Sequence, residues 1–427
     1  MLALSEEPKK TRILFFAEAV TLAHVARPVA LAEGLDRQYF DVHLAHHPRY
    51  RSLLGELDVT EHEINSISPQ QFTEALAGGR PLYDQKTLAA YVEDDLRLIA
   101  AIQPDIIVGD FRLSLAVSAE LTAVPYIALS NAYWSPYCKQ RYIVPDLPFT
   151  RILGPGIAQV VFSVVRPFAF ALHCLPMNRL RRSYGLNSLG FDLREVYTHA
   201  NYTLYADMPD LYNMQDLPVN HRFIGPVVWS PKSPLPDWWQ ELPSGRPIVY
   251  VTLGSSGQAS LLPELIAALG QLDVTALVST AGAELPASAS DNVYLAQYLP
   301  GEEAVKMSSL VICNGGSPTT HQALVHGVPV IGLASNLDQY LNMATIDKVG
   351  VGRLLRAGTC DSAELVQVVG SVMADPSYRE AARNLSKRLG GYDSSAEFTR
   401  IINEVSMEPK RRHDMAPHQS NPDGMAL

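Results

Sequence analysis

Short apolar runs alternate with longer stretches of helical period along most of the chain. Arg12 to Ala17 is almost wholly apolar, the pattern of a strand buried on both faces. Leu22, Val25, Val29, Ala32 and Leu35 then share one helical face. Phe40 to Ala45 alternates and predicts a second strand. Leu88 to Ile102 reads as a charged amphipathic helix, and Pro104 to Asp110 as a buried strand ending in a carboxylate. Leu113 to Leu121 and Pro125 to Leu129 continue the series as helix and strand. Tyr202 to Tyr205 and Arg222 to Ile224 close this half. Strands separated by helices predict a parallel, Rossmann-like sheet.

Gly225 to Arg246 breaks the rhythm with Pro226, Pro231, Pro234, Pro236 and Pro243, which predicts a linker packed down by Trp238 and Trp239. A second α/β set starts with the strand at Pro247 to Leu253. Val293 to Ala296, Leu310 to Cys313 and Pro329 to Leu333 are further buried strands. Asp361 to Met373, Asp375 to Leu389 and Ser394 to Val405 read as closing helices. The expected organisation is a first domain at 1–225, a linker at 226–246, a second domain at 247–390 and a closing helix at 391–406. The polar tail at 407–427 lacks periodicity and is expected to be disordered.

Between these regular parts, Asn131 to His199 is less periodic and rich in Phe, Tyr and Trp. Residues 157–175 are apolar, but Arg166 and Pro167 interrupt them. The expectation is a helix pair lining an apolar pocket, with peripheral membrane contact as the second reading.

With 427 residues, two domains are expected, and 47% hydrophobic with 18% charged residues is ordinary for a globular chain. The formal net charge of −10 argues against a nucleic-acid partner. An anionic ligand must then be held by local dipoles. Cys138, Cys174, Cys313 and Cys360 are scattered, which excludes a CxxC metal site and fits a reducing, cytoplasmic setting. No apolar segment precedes the first strand.

The densest chemistry lies in Val311 to Asn342. A buried strand runs into Asn314, Gly315 and Gly316, where the backbone turns sharply and lies close to a ligand. Ser317 is placed to cap the next helix, with Pro318 at its first position. The free N–H groups of such a helix start form an anion site. Asp338 and Gln339 follow the next strand at its carboxyl end, where open α/β sheets bind ligands. A phosphate site beside a carboxylate and an amide suits a phosphate carrying a hydroxyl-rich group. His24 and Asp110 also fall at carboxyl ends of predicted strands. Together they fit a general base oriented by an acid. Taken alone, His24 reads more often as a cap or a solvated side chain, and Asp110 as a cap of the following helix. Gly254 and Ser255, after the strand at Pro247 to Leu253, match neither a hydrolase elbow nor a Walker loop.

The Val311 to Asn342 stretch resembles the donor-binding signature of family 1 glycosyltransferases. Gly315, Gly316, Thr319, Thr320, Ala323, Leu324, Gly327, Val328, Pro329, Asp338, Gln339 and Asn342 fall in step with it. The resemblance implies an α/β protein of the GT-B fold, two Rossmann-like domains whose parallel sheets face each other across a cleft. It implies that Gly254, Ser255, Asn314, Gly315, Gly316, Ser317 and Thr319 meet the diphosphate. Tyr298 and Leu299 would meet the base, Gln322 the ribose, and Asp338 and Gln339 the sugar. His24 would be the base and Asp110 its partner. Asn314 stands where the family usually has His, Gln322 where many members have Glu, Gly301 where Gln is usual, and Ala23 where Gly is usual. The activity implied is inverting transfer from a nucleotide diphosphate sugar to a small hydroxylated acceptor, apolar or aromatic. A UDP-sugar is favoured over a dTDP-sugar as co-substrate, with no metal and no other cofactor. The alternatives are a nucleotide-sugar epimerase of similar architecture and a binding protein on a degenerate transferase fold.

Overall fold

The computed structural model describes residues 9–254, 259–284 and 290–407. The first half opens with β1 (Thr11–Ala17), α1 (Ala23–Glu33), β2 (Phe40–His46), α2 (Arg51–Leu54) and β3 (Thr60–Glu63). It continues with α3 (Pro69–Gly78), α4 (Gln85–Ile102), β4 (Ile106–Asp110), α5 (Leu115–Thr122) and β5 (Tyr126–Ser130). It ends with α6 (Pro148–Ser183), α7 (Leu193–Thr198), β6 (Tyr202–Tyr205) and β7 (His221–Phe223). The second half holds β8 (Ile248–Thr252), α8 (Leu262–Leu269), β9 (Thr275–Ser279), β10 (Val293–Ala296), α9 (Gly301–Met307) and β11 (Leu310–Cys313). Then come α10 (Ser317–Val325), β12 (Val330–Ala334), α11 (Leu337–Lys348) and β13 (Gly352–Arg356). Three helices close the chain: α12 (Ser362–Ala374), α13 (Pro376–Leu389) and α14 (Ser394–Met407).

Two parallel sheets result, a seven-stranded one in the order β3-β2-β1-β4-β5-β6-β7 and a six-stranded one in the order β10-β9-β8-β11-β12-β13. Each winds outward in both directions from a central pair, β1 with β4 and β8 with β11. Such a switch point leaves a crevice beyond the strand ends, because the two flanking crossovers lie on opposite faces. The fold is the expected GT-B arrangement. β3, with sequence TEHE, is a polar edge strand and β13 (GRLLR) an edge strand with exposed positions, while β9 (TALVS) is fully buried; none of the three is among the strands read from the sequence.

Three details differ from the sequence-based picture. First, the expected helix pair is a kinked one, and residues 157–175 do not span both of its members. α6 is two helical segments that meet at a kink at Gly154 (φ 72°, ψ 158°), and 157–175 lie wholly within the second, longer one. Pro167 and Pro176 remain inside the helix, since a proline removes one intrahelical bond without forcing the chain to reverse. Among the described residues, α6 is the helix long and apolar enough to cross a membrane, by length and composition. Second, Gly316 is the N-cap of α10, with Ser317 the first helical residue and Pro318 the second. Ser317 therefore does not cap. Its hydroxyl is drawn across the cleft instead, as described below. Third, α14 crosses back to the first sheet. Phe398 packs on Phe15 with ring centroids 5.9 Å apart, and Ile401, Ile402 and Val405 are buried in the same core. The tail at 408–427 lies outside the described residues.

The halves are also pinned near the start of α6. Asp146 accepts from Gly358 N at 2.8 Å and Tyr340 Oη at 3.3 Å, and pairs with Arg356. In the linker, Trp238 and Trp239 stack at 5.8 Å, and Trp238 Nε1 donates to the Leu295 carbonyl.

Candidate active site

The registers of the two central strand pairs set the site. Ala17 lies opposite Asp110, and Thr252 opposite Cys313. Each pair ends at a carboxyl edge, and the two edges face a common cavity of about 800 Å³. His24, Asp110, Gly254, Tyr298, Leu299, Asn314, Gly316, Ser317, Thr319, Gln322, Asp338 and Gln339 all line it. Ser255 lies outside the described residues.

On the first wall, His24 sits in the first turn of α1 and its Nδ1 is 2.8 Å from Asp110 Oδ1. Phe111, the residue after Asp110, takes φ 57°, a region that costs a bulky side chain energy. That turn lays its ring parallel to the His24 imidazole, centroids 4.6 Å apart. The imidazole is thus fixed by a hydrogen bond at one nitrogen and by stacking on one face. With Asp110 ionised, the Nδ1 proton points at the carboxylate and Nε2 keeps the lone pair for an acceptor.

Arg27, one helical turn beyond His24, binds the same carboxylate. Its Nε donates to Asp110 Oδ2 at 2.6 Å and its Nη2 to Oδ1 at 2.9 Å. Burial pushes the Asp110 carboxyl up, but the charge and hydrogen bonds of Arg27, with His24, more than offset this and hold it below the usual carboxylate range. The sequence reading missed Arg27. Its i, i+3 spacing from His24 on one helix was the available signal.

Arg27 Nη1 donates to Asn131 Oδ1 at 3.1 Å, and the hydroxyl of Ser317 donates to the same oxygen at 3.3 Å. A continuous polar chain, His24–Asp110–Arg27–Asn131–Ser317, therefore runs from the α1 imidazole to the first turn of α10. Asn131 Nδ2 donates to both oxygens of Asp207 at 3.1 Å, which fixes the amide's orientation. Asn131 was also missed, although it follows β5 directly at the carboxyl edge.

On the second wall, Asn314 Oδ1 accepts from Gly316 N at 3.1 Å and shapes the turn into α10. The N–H groups of the first turn have no carbonyl one turn back, so Ser317 and Thr319 supply donors and the positive end of the helix dipole. Gly315 corrects its expected role. Its φ is 82°, its N–H donates to Cys313 Sγ at 3.3 Å, and an added Cβ would lie 2.6 Å from Met343. It faces the core and makes the turn, and it does not line the cavity. Asn342 braces that turn by donating to the Gly315 carbonyl at 2.8 Å and to Thr320 Oγ1 at 2.9 Å.

Asp338 and Gln339 lie in the first turn of α11. Asn336 and Gln339 form a reciprocal capping box, so Gln339 Oε1 is engaged with the backbone. Asp338 accepts from Trp134 Nε1 at 2.7 Å and Tyr133 Oη at 3.4 Å, both from the first domain. Enclosure by protein pushes its carboxyl up, against the pull of Trp134 and His24. Gln322 Nε2 donates to Ser230 Oγ of the linker at 2.6 Å. Two cavity-wall donors, Gln339 Nε2 and Trp229 Nε1, find no hydrogen-bond partner among the described residues. Buried donors of this kind cost stability unless a ligand oxygen meets them. The remaining wall, beside His24, is aromatic: Phe72, Phe111, Trp134, Phe149, Phe162 and Tyr197.

Comparison with known proteins identifies relatives of the chain and of its fold. Residues 263–405 match the family model "Erythromycin biosynthesis protein CIII-like, C-terminal domain". The chain is 48% identical over 404 residues to the PGL/p-HBAD biosynthesis rhamnosyltransferase of Mycobacterium bovis (strain BCG / Pasteur 1173P2), covering 95% of this chain and 90% of the relative. It is 47% identical over 382 residues to the PGL/p-HBAD biosynthesis glycosyltransferase of Mycobacterium tuberculosis (strain ATCC 25177 / H37Ra), covering 90% and 89%. Among solved structures, spinosyn forosaminyltransferase superposes with a TM-score of 0.68 at 18% identity, covering 94% of this chain and 100% of that one. A spinosyn rhamnosyltransferase complexed with thymidine diphosphate superposes with a TM-score of 0.62 at 18% identity, covering 92% and 100%.

Proposed function

This chain belongs to the family 1 glycosyltransferases of the GT-B fold, and on that premise we propose the reaction it catalyses. It transfers a hexose from a pyrimidine nucleoside diphosphate to a hydroxyl of an apolar, aromatic-bearing acceptor, with inversion at the sugar C1. The observation that carries the reading is the shared cavity. Both the His24–Asp110 pair and the first turn of α10 line it.

The donor's diphosphate rests on the N–H groups of Ser317 and Thr319, with Gly254 and Asn314 beside it. Tyr298 and Leu299 take the base, and Gln322, held by Ser230, the ribose side. Asp338 and Gln339 Nε2 meet the sugar hydroxyls. The aromatic wall holds the acceptor with its hydroxyl at His24 Nε2. As the acceptor oxygen attacks C1 from the face opposite the leaving group, its proton passes to Nε2 and the C1–oxygen bond to the diphosphate breaks. Charge then appears on the diphosphate, where the start of α10 stabilises it. Asp110 holds the imidazolium in place until it releases its proton.

The family resemblance favours a UDP-sugar. A relative named as a rhamnosyltransferase and a structural neighbour titled with thymidine diphosphate bring dTDP-rhamnose into the same panel. Each donor is mixed with an alkyl-substituted phenol, and released nucleoside diphosphate is measured. Release that requires the acceptor, and a product whose anomeric NMR coupling shows inversion, support the reading. Sugar isomerisation without acceptor indicates an epimerase, and the absence of turnover with every donor overturns the proposal.

A further inference from the structure

α6 has an unusual outward face. Val160, Val164 and Phe168 are 67%, 65% and 75% exposed, and Ile157 and Leu172 extend the same stripe. At 1.5 Å per residue the stripe is about 23 Å long. A helix on an aqueous surface places charges on its outer face. Here no Asp or Glu occurs anywhere from 147 to 191, whereas the whole chain carries a net charge of −10. Exposed Arg151 stands at one end of the stripe and exposed Arg179 and Arg182 at the other. An apolar face bounded only by cations, on an acidic protein, complements an anionic lipid surface. A second copy of this chain fits poorly. Pairing two such helices in either direction brings arginine ends together, with no carboxylate on the helix to neutralise them.

The stripe is also continuous with the cavity. Val161 and Val165 are 38% and 49% exposed and yet belong to the cavity wall, beside Phe162 and Phe170 on the inner face. We propose that the outer face of α6 docks on an anionic bilayer and that an acceptor with an apolar chain enters the cavity from that bilayer along α6. The second half rests on the acceptor site assigned above.

The test uses the full chain and vesicles of phosphatidylcholine, with or without phosphatidylglycerol. The protein is expected to co-sediment with the anionic vesicles, and less so at high salt. Combining Val160→Ser, Val164→Ser and Phe168→Ser is expected to lower that partition by about tenfold or more. It should leave transfer to a short, soluble phenol unchanged and slow transfer to a long-chain phenol embedded in vesicles. Should the triple variant lose thermal stability, Arg179→Glu with Arg182→Glu is measured in its place and is expected to abolish the preference for anionic lipid. Equal binding by wild type and variant, or no vesicle binding by wild type, overturns docking. So does a wild-type dimer that the triple variant dissolves without any vesicle binding. Loss of soluble-phenol transfer in wild type counts against the catalytic reading alone, since vesicle binding is scored without turnover.

Discussion

Arg27 grips both oxygens of Asp110, the carboxylate whose Oδ1 also receives His24 Nδ1–H. Asp110 is fully buried, so its charge is tolerable only because a fixed cation neutralises it. The same pairing limits how much of that charge is left for an imidazolium. We read Asp110 as an orienting group for the base and Arg27 as its permanent counter-ion.

Arg27→Ala should therefore destabilise the protein at neutral pH, by about 3–5 kcal/mol if it behaves as other broken buried pairs do. The wild-type Asp110 carboxyl is held low, so its stabilising contribution is full above its unfolded value and fades as pH falls through the folded one. In the variant, burial acts without its counter-ion and Asp110 takes up a proton sooner. The stability gap, measured by urea unfolding, should narrow as the pH falls from about 7 toward about 4. A constant gap across that range would show that Asp110 is not what Arg27 stabilises.

His24→Ala should abolish most transfer, by about 10²–10⁴-fold in kcat, with little change in donor affinity. The imidazole lies on the first wall, away from the start of α10. Calorimetry of donor binding and steady-state rates separate the two effects. Retention of half the activity would remove His24 from the reaction.

Asp338→Asn makes a stability prediction of the opposite sign. Enclosure raises the folded Asp338 carboxyl above its usual value. The folded state therefore holds the proton more tightly, and stability declines as pH rises through the window between the unfolded and folded values. At pH 7 the half-buried charge is a cost that Asn removes, while its Oδ1 can still accept from Trp134. The unliganded variant should melt higher by about 2 °C or more at neutral pH. Nucleotide-sugar affinity should weaken by about 1.5–3 kcal/mol, and free nucleoside diphosphate should bind as before. Equal losses for both ligands would move Asp338 away from the sugar.

Asn314 does not titrate, and a nucleotide diphosphate sugar has no phosphate proton to lose near neutrality. Donor affinity in the wild type should be flat between about pH 6 and 8. Asn314→His should add a dependence, tighter toward acid, as a cation forms beside the diphosphate. Calorimetric titration at fixed salt checks both proteins. A tenfold fall for wild type across that window, with uptake of one proton, would point to another titrating group at the phosphates.

The sequence alone determined most of the buried strands and which residues stand at their carboxyl ends. Strand burial is a local pattern, and the Gly-rich turn before Ser317 is local chemistry. That is why His24, Asp110, Asn314 and Asp338 could be placed before the fold was known. The tertiary structure decided what those residues touch. Asn131 meets Ser317 across 186 positions of sequence and Trp134 meets Asp338 across 204, because two separately wound sheets turn their switch points toward one cavity. It also decided that α14 returns to the first sheet and that Gly315 faces the core. It decided as well that α6 survives its prolines with an apolar face on each side. Hydrophobic periodicity says that a face is apolar. Only the packing of the other elements says whether protein covers it.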